Sequence, residues 1–226
     1  MESTRYEVKM TCAEMHLPQV RGWVRLHPDA FAQAYPPRQV NNLYFDTREM
    51  DCLNDNLMGI SERIKLRFRW YGQNHSVAQG VLELKHKTNQ LGWKESCPVP
   101  VPLDLTTISW IDLMRQMRQH AVGDVAVWLS ADNQPVLINS YIREYYESID
   151  HQVRVTVDYD QVVCEQITYA APNLVSKSFI EDQIVIEVKV DSRLHRRLSN
   201  VLYSFPLQTG RNSKYVNGVI DSLCFL

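Results

Sequence analysis

Ile64-Lys65-Leu66-Arg67-Phe68-Arg69 alternates without a break, with Ile, Leu and Phe at the even positions and three cations at the odd ones. Successive side chains of a strand point to opposite sides of its sheet, so this segment reads as a strand with one dry face and one cationic face. The same period recurs on either side of it, in Arg5-Tyr6-Glu7-Val8-Lys9, Leu82-Glu83-Leu84-Lys85-His86-Lys87, Val153-Arg154-Val155-Thr156-Val157-Asp158 and Ile186-Glu187-Val188-Lys189-Val190. Alternation of this kind predicts strands over Thr4–Thr11, Gln39–Asp46, Glu62–Tyr71, Gly80–Lys87, Gly92–Val99, Val136–Ser148, Gln152–Gln161 and Gln183–Val190. Helical periodicity predicts Ala13–Leu26, Arg48–Met58, Thr107–Ala121, Ser192–Phe205 and Ser213–Phe225. Most connections between strands are too short for parallel crossovers. The expected fold is therefore α+β: a mostly antiparallel eight-stranded β-barrel, or tunnel, with helices packed on the outside. Pro98–Pro102 and Tyr169–Ser178 read as connections inside one domain spanning residues 1–226.

Composition narrows the function. With 45% hydrophobic and 22% charged residues, the 226-residue chain is an ordinary globular protein with ample core. A net charge of −2 argues against wrapping nucleic acid, yet leaves room for cations concentrated in a cavity. Five scattered cysteines, Cys12, Cys52, Cys97, Cys164 and Cys224, form no CxxC pair, which excludes a zinc ribbon or a disulfide framework and suits a reducing cytosol. The seven histidines show no HxxxH spacing. The opening MESTRYEVK has no apolar signal core, and no run approaches the roughly 20 apolar residues of a membrane span. A cytoplasmic location is expected.

A half-buried antiparallel sheet ordinarily shows water a polar face of mixed sign. Here the charged faces carry nine cations, Lys9, Lys65, Arg67, Arg69, Lys85, Lys87, Arg143, Arg154 and Lys189, against Glu7, Glu83, Asp158 and Glu187, a net +5 in a chain whose total is −2. The apolar faces need covering, and amphipathic helices are available to cover them from outside. The charged faces then point into the barrel, where unpaired cations are costly without an anion. A phosphate chain fits, since Arg offers it a planar fork and Lys a point charge. Carboxylates among those cations suit a divalent metal, Mn²⁺ or Mg²⁺, bridging to phosphate, with Glu187 the first candidate ligand and Glu7 and Glu83 after it.

The same residues carry a family resemblance. Arg5-Tyr-Glu-Val-Lys9, Leu43-Tyr-Phe-Asp-Thr47, Arg63-Ile-Lys-Leu-Arg-Phe-Arg69, Leu82-Glu-Leu-Lys85 followed by Trp93-Lys-Glu95, Tyr141-Ile-Arg-Glu-Tyr-Tyr146, Arg154-Val-Thr-Val-Asp158, Val185-Ile-Glu-Val-Lys189 and Ser213-Lys-Tyr-Val-Asn-Gly218 stand in order along nearly the whole chain. Together they resemble the VTC domain, the polyphosphate polymerase domain of the triphosphate tunnel metalloenzymes. The resemblance implies transfer of the γ-phosphoryl group of ATP to a polyphosphate chain. It implies phosphate contacts from Lys9, Arg67, Arg69, Lys85, Arg143, Arg154, Lys189, Ser213 and Lys214, with Lys94 beside them, and a metal on Glu187. Of these, Lys9, Arg67, Arg69, Arg143 and Arg154 are assigned to the chemistry. The sequence departs from the superfamily's Glu-x-Glu-x-Lys pattern at Arg5. Eukaryotic relatives carry membrane helices, so a membrane-protein partner is compatible with the resemblance.

Three rivals stand beside this reading: a hydrolase of inorganic or nucleoside triphosphate in the same tunnel, a non-catalytic polyphosphate-binding module, and a plain sheet scaffold whose charged residues are exposed. A tunnel open at both ends suits a polymer, and one plugged end suits a small triphosphate. Structural roles are expected elsewhere. Asp46-Thr47 ends a strand and caps the next helix, Asp104 and Thr106-Thr107 cap the third helix, and Ser213 caps the last. Tyr145, Tyr146 and Trp93 pack in the core or at its rim. His195-Arg196-Arg197 forms a solvated helix face.

Overall fold

The computed structural model describes residues 5–88, 91–130, 132–179 and 182–223. Thr4, Cys224 and Phe225 lie outside them. In chain order come β1 (Arg5–Ala13), α1 (Leu17–Arg25), β2 (Ala32–Thr47), α2 (Asp51–Leu57), β3 (Glu62–Tyr71), β4 (Ala78–Thr88), β5 (Leu91–Leu103), α3 (Trp110–His120) and α4 (Gly123–Ser130). They are followed by β6 (Asn133–Glu147), β7 (Val153–Glu165), β8 (Ser178–Phe179), β9 (Gln183–Asp191), α5 (His195–Tyr203), β10 (Thr209–Gly210) and α6 (Lys214–Leu223). Eight strands close into a ring, β1-β5-β4-β3-β2-β6-β7-β9 and back to β1, with every pair antiparallel. The two-residue strands β8 and β10 belong to the same sheet, pairing with β7 and β1 beyond the stretches that β9 and β5 occupy.

Alternation fixes which side of the wall each residue takes. Leu66 and Phe68 of β3 join Leu43, Leu82 and Leu84 in a core that Leu113 and Met117 of α3 and Val125 and Leu129 of α4 close from outside. Across the barrel, Val155, Val157, Ile186 and Val188 pack under Val20 and Val24 of α1 and Leu198 and Val201 of α5. Lys65, Arg67 and Arg69 are left on the inner face. α4 escapes the sequence reading because Val125-Ala-Val-Trp-Leu129 is apolar almost throughout and shows no helical stripe.

Three expectations need correction. Pro98–Pro102 is strand, not a connection: among the described residues β5 meets β1 at Leu91 and Gly92, so along the proline stretch its far edge pairs with no β1 residue and the missing N–H groups break no ladder there. The N-cap of α3 is Ser109, whose Oγ accepts from Asp112 N at 3.2 Å, while the Asp104 carboxylate closes the preceding turn on Thr106 and Thr107. Last, α6 does not lie outside the barrel. Tyr44 stands opposite both Arg67 and Leu137 in register, so all three share the inner face. Tyr44 and Leu137 pack against Tyr215, Val216 and Val219 of α6. A Cβ on Gly218 would come within 2.7 Å of Leu137 and 2.9 Å of Val163, so only glycine lets the helix seat this deeply. The helix closes one end of the barrel.

Asp46 ties that closure together. Its carboxylate accepts the backbone N–H groups of Cys52 and Leu53 at the start of α2, as the sequence suggests, and also the hydroxyl of Tyr215 on α6.

The tightest point of the wall is Gly80, where an added Cβ would lie 2.2 Å from the Arg69 carbonyl oxygen and 2.7 Å from Phe68. Gly80→Ala is expected to destabilise the fold by about 1–3 kcal/mol, through backbone displacement that no rotamer relieves. Urea unfolding should show a lower midpoint at unchanged slope.

Candidate functional site

The ring gathers the charged faces around one interior, which has three levels. Deepest, against α6, Lys65 Nζ donates to Ser213 Oγ at 2.8 Å and Lys9 Nζ to the Asn212 carbonyl at 2.7 Å. Asp158, fully buried, accepts Arg143 Nε and Nη2 at 2.5 and 2.6 Å and lies 2.7 Å from Lys214 Nζ. Midway, Glu83 accepts Arg67 Nε and Nη2 at 2.8 and 2.6 Å and Lys94 Nζ at 2.5 Å, with Arg69 3.8 Å away. Arg69 Nε donates to Asn42 Oδ1 at 2.9 Å. Two residues on from Glu83 along β4, Lys85 reaches Glu7 of β1 at 2.7 Å, and on β9 Lys189 pairs with Glu187 at 3.0 Å. At the open end, Arg5, Arg154, Lys189, Asp191 and Arg193 line a cleft of about 520 Å³.

The structure thus brings Lys9, Arg67, Arg69, Lys85, Lys94, Arg143, Lys189, Glu7, Glu83 and Glu187 onto one inner surface, with Ser213 and Lys214 at its closed end. It sets Arg154 apart: the side chain is 60% exposed at the mouth and pairs with Glu147 at 3.1 Å. Ser213 Oγ accepts from Val216 N at 3.4 Å in the first turn of α6, as a capping residue does, and from Lys65 Nζ at 2.8 Å. Glu187, at 6% exposure, and Glu83, at 4%, are not the solvated residues of a plain scaffold. Trp93 sits at the rim, stacked on His86 at 5.0 Å. Arg197 pairs with Asp29 and Asp150, so it is not simply solvated.

Sequence reasoning left three residues out of the site. Lys65 shares the parity of Arg67 and was available from the same alternation. Asp158 was counted on a charged face, but its clamp on Arg143 and Lys214 joins β6, β7 and α6, elements far apart in the chain. Asn42 follows no charge pattern and becomes visible only through its bond to Arg69.

Burial and charge set the protonation states. Burial, with Lys9 and Lys85 nearby, pushes Lys65 down to about 7. Burial also lowers Lys9 to about 8, Lys214 and Lys85 adding to it and Glu187 opposing. For the carboxylates, burial works upward and is overcome. Lys189, Lys9 and Lys85 hold Glu187 well below the usual range, Arg67 and Arg69 do the same for Glu83, and Arg143 and Lys214 hold Asp158 at about 2.

Among the described residues no three His, Cys, Asp or Glu side chains converge as a metal cage. The donors present suit a hard cation that draws most of its oxygens from ligand and water. They are the ionised Glu187, the Thr156 Oγ1 opposite it, which has no hydrogen-bond partner among the described residues, and Glu7 near the same Lys9.

Comparisons with known proteins agree on the architecture. The family profile of the VTC domain matches residues 4–222. A candidate adenylate cyclase from Vibrio parahaemolyticus superposes with a TM-score of 0.53 at 10% identity, covering 94% of this chain and 97% of that one. A candidate adenylyl cyclase from Hippeastrum, described as having a dominant triphosphatase activity, gives 0.53 at 15% identity, over 95% and 93%. A protein of Pyrococcus horikoshii gives 0.52 at 13%, over 98% of both chains. At such identities the likeness is one of fold. No curated protein matches the chain significantly. No helix among the described residues is long and apolar enough to cross a membrane.

The two depressed lysines would couple the binding of an anion to protons. Lys65 and Lys9 lose their protons as pH rises through about 7 and about 8, and a polyanion placed beside them would raise both values. Between the free and bound values, binding takes up protons and weakens as pH rises. Calorimetry with inorganic tripolyphosphate at pH 7.5, in buffers of different ionisation enthalpy, should show more proton uptake for the wild type than for Lys65→Met. Wild-type affinity should fall between pH 7 and 9.

Proposed function

The chain belongs to the VTC domain family, and from that premise we propose that it is a metal-dependent phosphotransferase of the polyphosphate polymerase type, passing the γ-phosphoryl group of ATP to a polyphosphate chain. The observation that carries this reading is the excess of positive charge enclosed by a closed ring, in a chain whose net charge is −2. Such an interior is matched by a polyanion and by little else.

Phosphoryl transfer asks a protein mainly for positioning and for neutralisation of charge on the equatorial oxygens. Arg67 and Arg69 are fixed for this, the first by Glu83 and the second by Asn42. Arg143 is held by Asp158 through Nε and Nη2. Lys9, Lys85, Lys94 and Lys189 offer point charges along the chain, and Lys214 with Ser213 closes its far end. Arg154 belongs at the mouth, where it draws the anion in. Glu187, with Glu7 beside it, would hold a divalent cation, Mn²⁺ or Mg²⁺, which would supply Lewis acidity toward the phosphate. Glu83 is a weaker candidate for that task, because Arg67, Arg69 and Lys94 already engage it.

Hydrolysis of a triphosphate is the second reading, and one observation favours it: α6 stops the barrel at one end, which suits a short chain. Triphosphatase activity is described for the Hippeastrum protein of this fold.

The test is incubation with ATP and Mn²⁺, with products separated by size on a gel stained for polyphosphate. The proposal expects long chains from the wild type and at least a hundredfold less from Glu187→Ala, with folding checked by urea denaturation. Metal-dependent phosphate release without chains would replace it with the hydrolase. Polyphosphate binding with neither product would leave a binding module.

A further inference from the structure

The inner wall carries a second kind of chemistry at its open end. Tyr35 of β2 stands opposite Tyr145 of β6, and Arg38 opposite Arg143, so these residues share the face that points into the barrel. Tyr71 ends β3 on the same face as Arg69 and Arg67. The Arg38 guanidinium lies 4.2 Å from the Tyr71 ring centroid and 4.8 Å from that of Tyr145, and its Nε donates to the Tyr145 hydroxyl at 3.2 Å. Tyr35 meets Tyr145 edge-on at 5.8 Å. Yet Tyr35 remains 59% and Tyr71 45% exposed.

Two register shifts in β2, between Gln33 and Tyr35 and between Tyr35 and Arg38, flank Tyr35 and coincide with Pro36-Pro37. Bulges of this kind re-aim side chains beside ligand sites. The cluster is continuous with the phosphate-type cations, since Arg143 lies 5.9 Å from the Tyr145 ring. From Tyr71 to Arg67 is four residues of strand, about 13 Å at 3.3 Å per residue. An extended nucleoside triphosphate spans such a distance with its phosphates inward.

We infer that Tyr35, Tyr71 and Arg38 form a stacking shelf for the base of a nucleoside triphosphate whose phosphates occupy the barrel. The inference rests on the proposed function and deepens it, because it makes the donor a nucleotide bound through its base as well as its phosphates. Aromatic rings and a guanidinium plane present flat faces to a flat base, and the π-face is common to every base. The shelf therefore favours nucleotides over inorganic chains without choosing strongly among bases.

Calorimetry of wild type, Tyr71→Ala, Tyr71→Phe and Tyr35→Ala with ATP, GTP and inorganic tripolyphosphate, each with Mg²⁺, tests this. The expected result is about tenfold weaker binding of ATP and of GTP by Tyr71→Ala. Tyr35→Ala should show a smaller loss, Tyr71→Phe should keep wild-type affinity, and all four proteins should bind tripolyphosphate alike. If the alanine variants bind ATP as the wild type does, or lose tripolyphosphate in the same proportion, the shelf is overturned while the phosphate site stands. If the wild type binds none of the three ligands, the proposed function itself falls, and the shelf with it.

Discussion

Like charges enclosed by a closed wall are the constraint on which this structure depends. Once the eight strands close, Arg67, Arg69, Arg143 and Lys214 are drawn largely out of water and toward one another. Each buried ion carries a desolvation cost of roughly several kcal/mol. The fold answers with four carboxylates in different roles. Glu83 and Asp158 act as anchors: Glu83 grips Arg67 and Lys94, and Asp158 grips Arg143 and Lys214, so each fixes one guanidinium group in place. Among the described residues Glu7 and Glu187 each pair with one lysine, at 2.7 and 3.0 Å, and so are less firmly engaged than Glu83 and Asp158. What remains uncompensated is met in part by deprotonation, since Lys65 and Lys9 fall to about 7 and about 8. The interior thus keeps an excess of positive charge and holds part of it in reserve as neutral lysine.

The two ends of the barrel differ in kind. At the closed end, α6 is locked by Tyr215 on Asp46, by Lys214 on Asp158 and by Gly218 against Leu137 and Val163. These contacts reach β2, β6 and β7, so a shift of α6 would disturb the deepest cations as well as the seal. At the open end the lining turns to exposed tyrosine and arginine, bridged by the Arg38–Tyr145 contact. Depth along one axis therefore sorts chemistry: planar groups outside, the Glu83-anchored arginines midway, and lysines against the helix.

Much of this was legible beforehand because a strand's period is two and local. The boundaries of β3 were read correctly from Glu62 to Tyr71, and eight strands were expected where the ring has eight. Reading failed where a feature is not periodic. α4 has no stripe, the prolines of β5 look like a loop unless the unpaired edge is known, and Ser109 is distinguished from Asp104 only by where the chain turns. Arg154 shows a different limit: its parity is as expected, but it lies at the mouth beside Glu147, and parity carries no depth.

Sequence by itself determined the faces: which side chains share a side of each strand, their sign, and hence that the closed sheet would hold excess positive charge. It also carried the family, through motifs spread over nearly the whole chain. Only the tertiary structure decided the partners and the ends. Glu83 and Arg67 are sixteen residues apart, Asp158 and Arg143 fifteen, and Lys65 and Ser213 one hundred and forty-eight. The hairpins between adjacent strands make the first two pairings guessable. The third, like the placing of α6 inside the barrel, exists because ring closure brings the chain's last helix back to the inner face of strands formed much earlier. Alternation along a strand cannot encode that return, because it is set by how the whole sheet curls and by the one glycine that lets the helix fit.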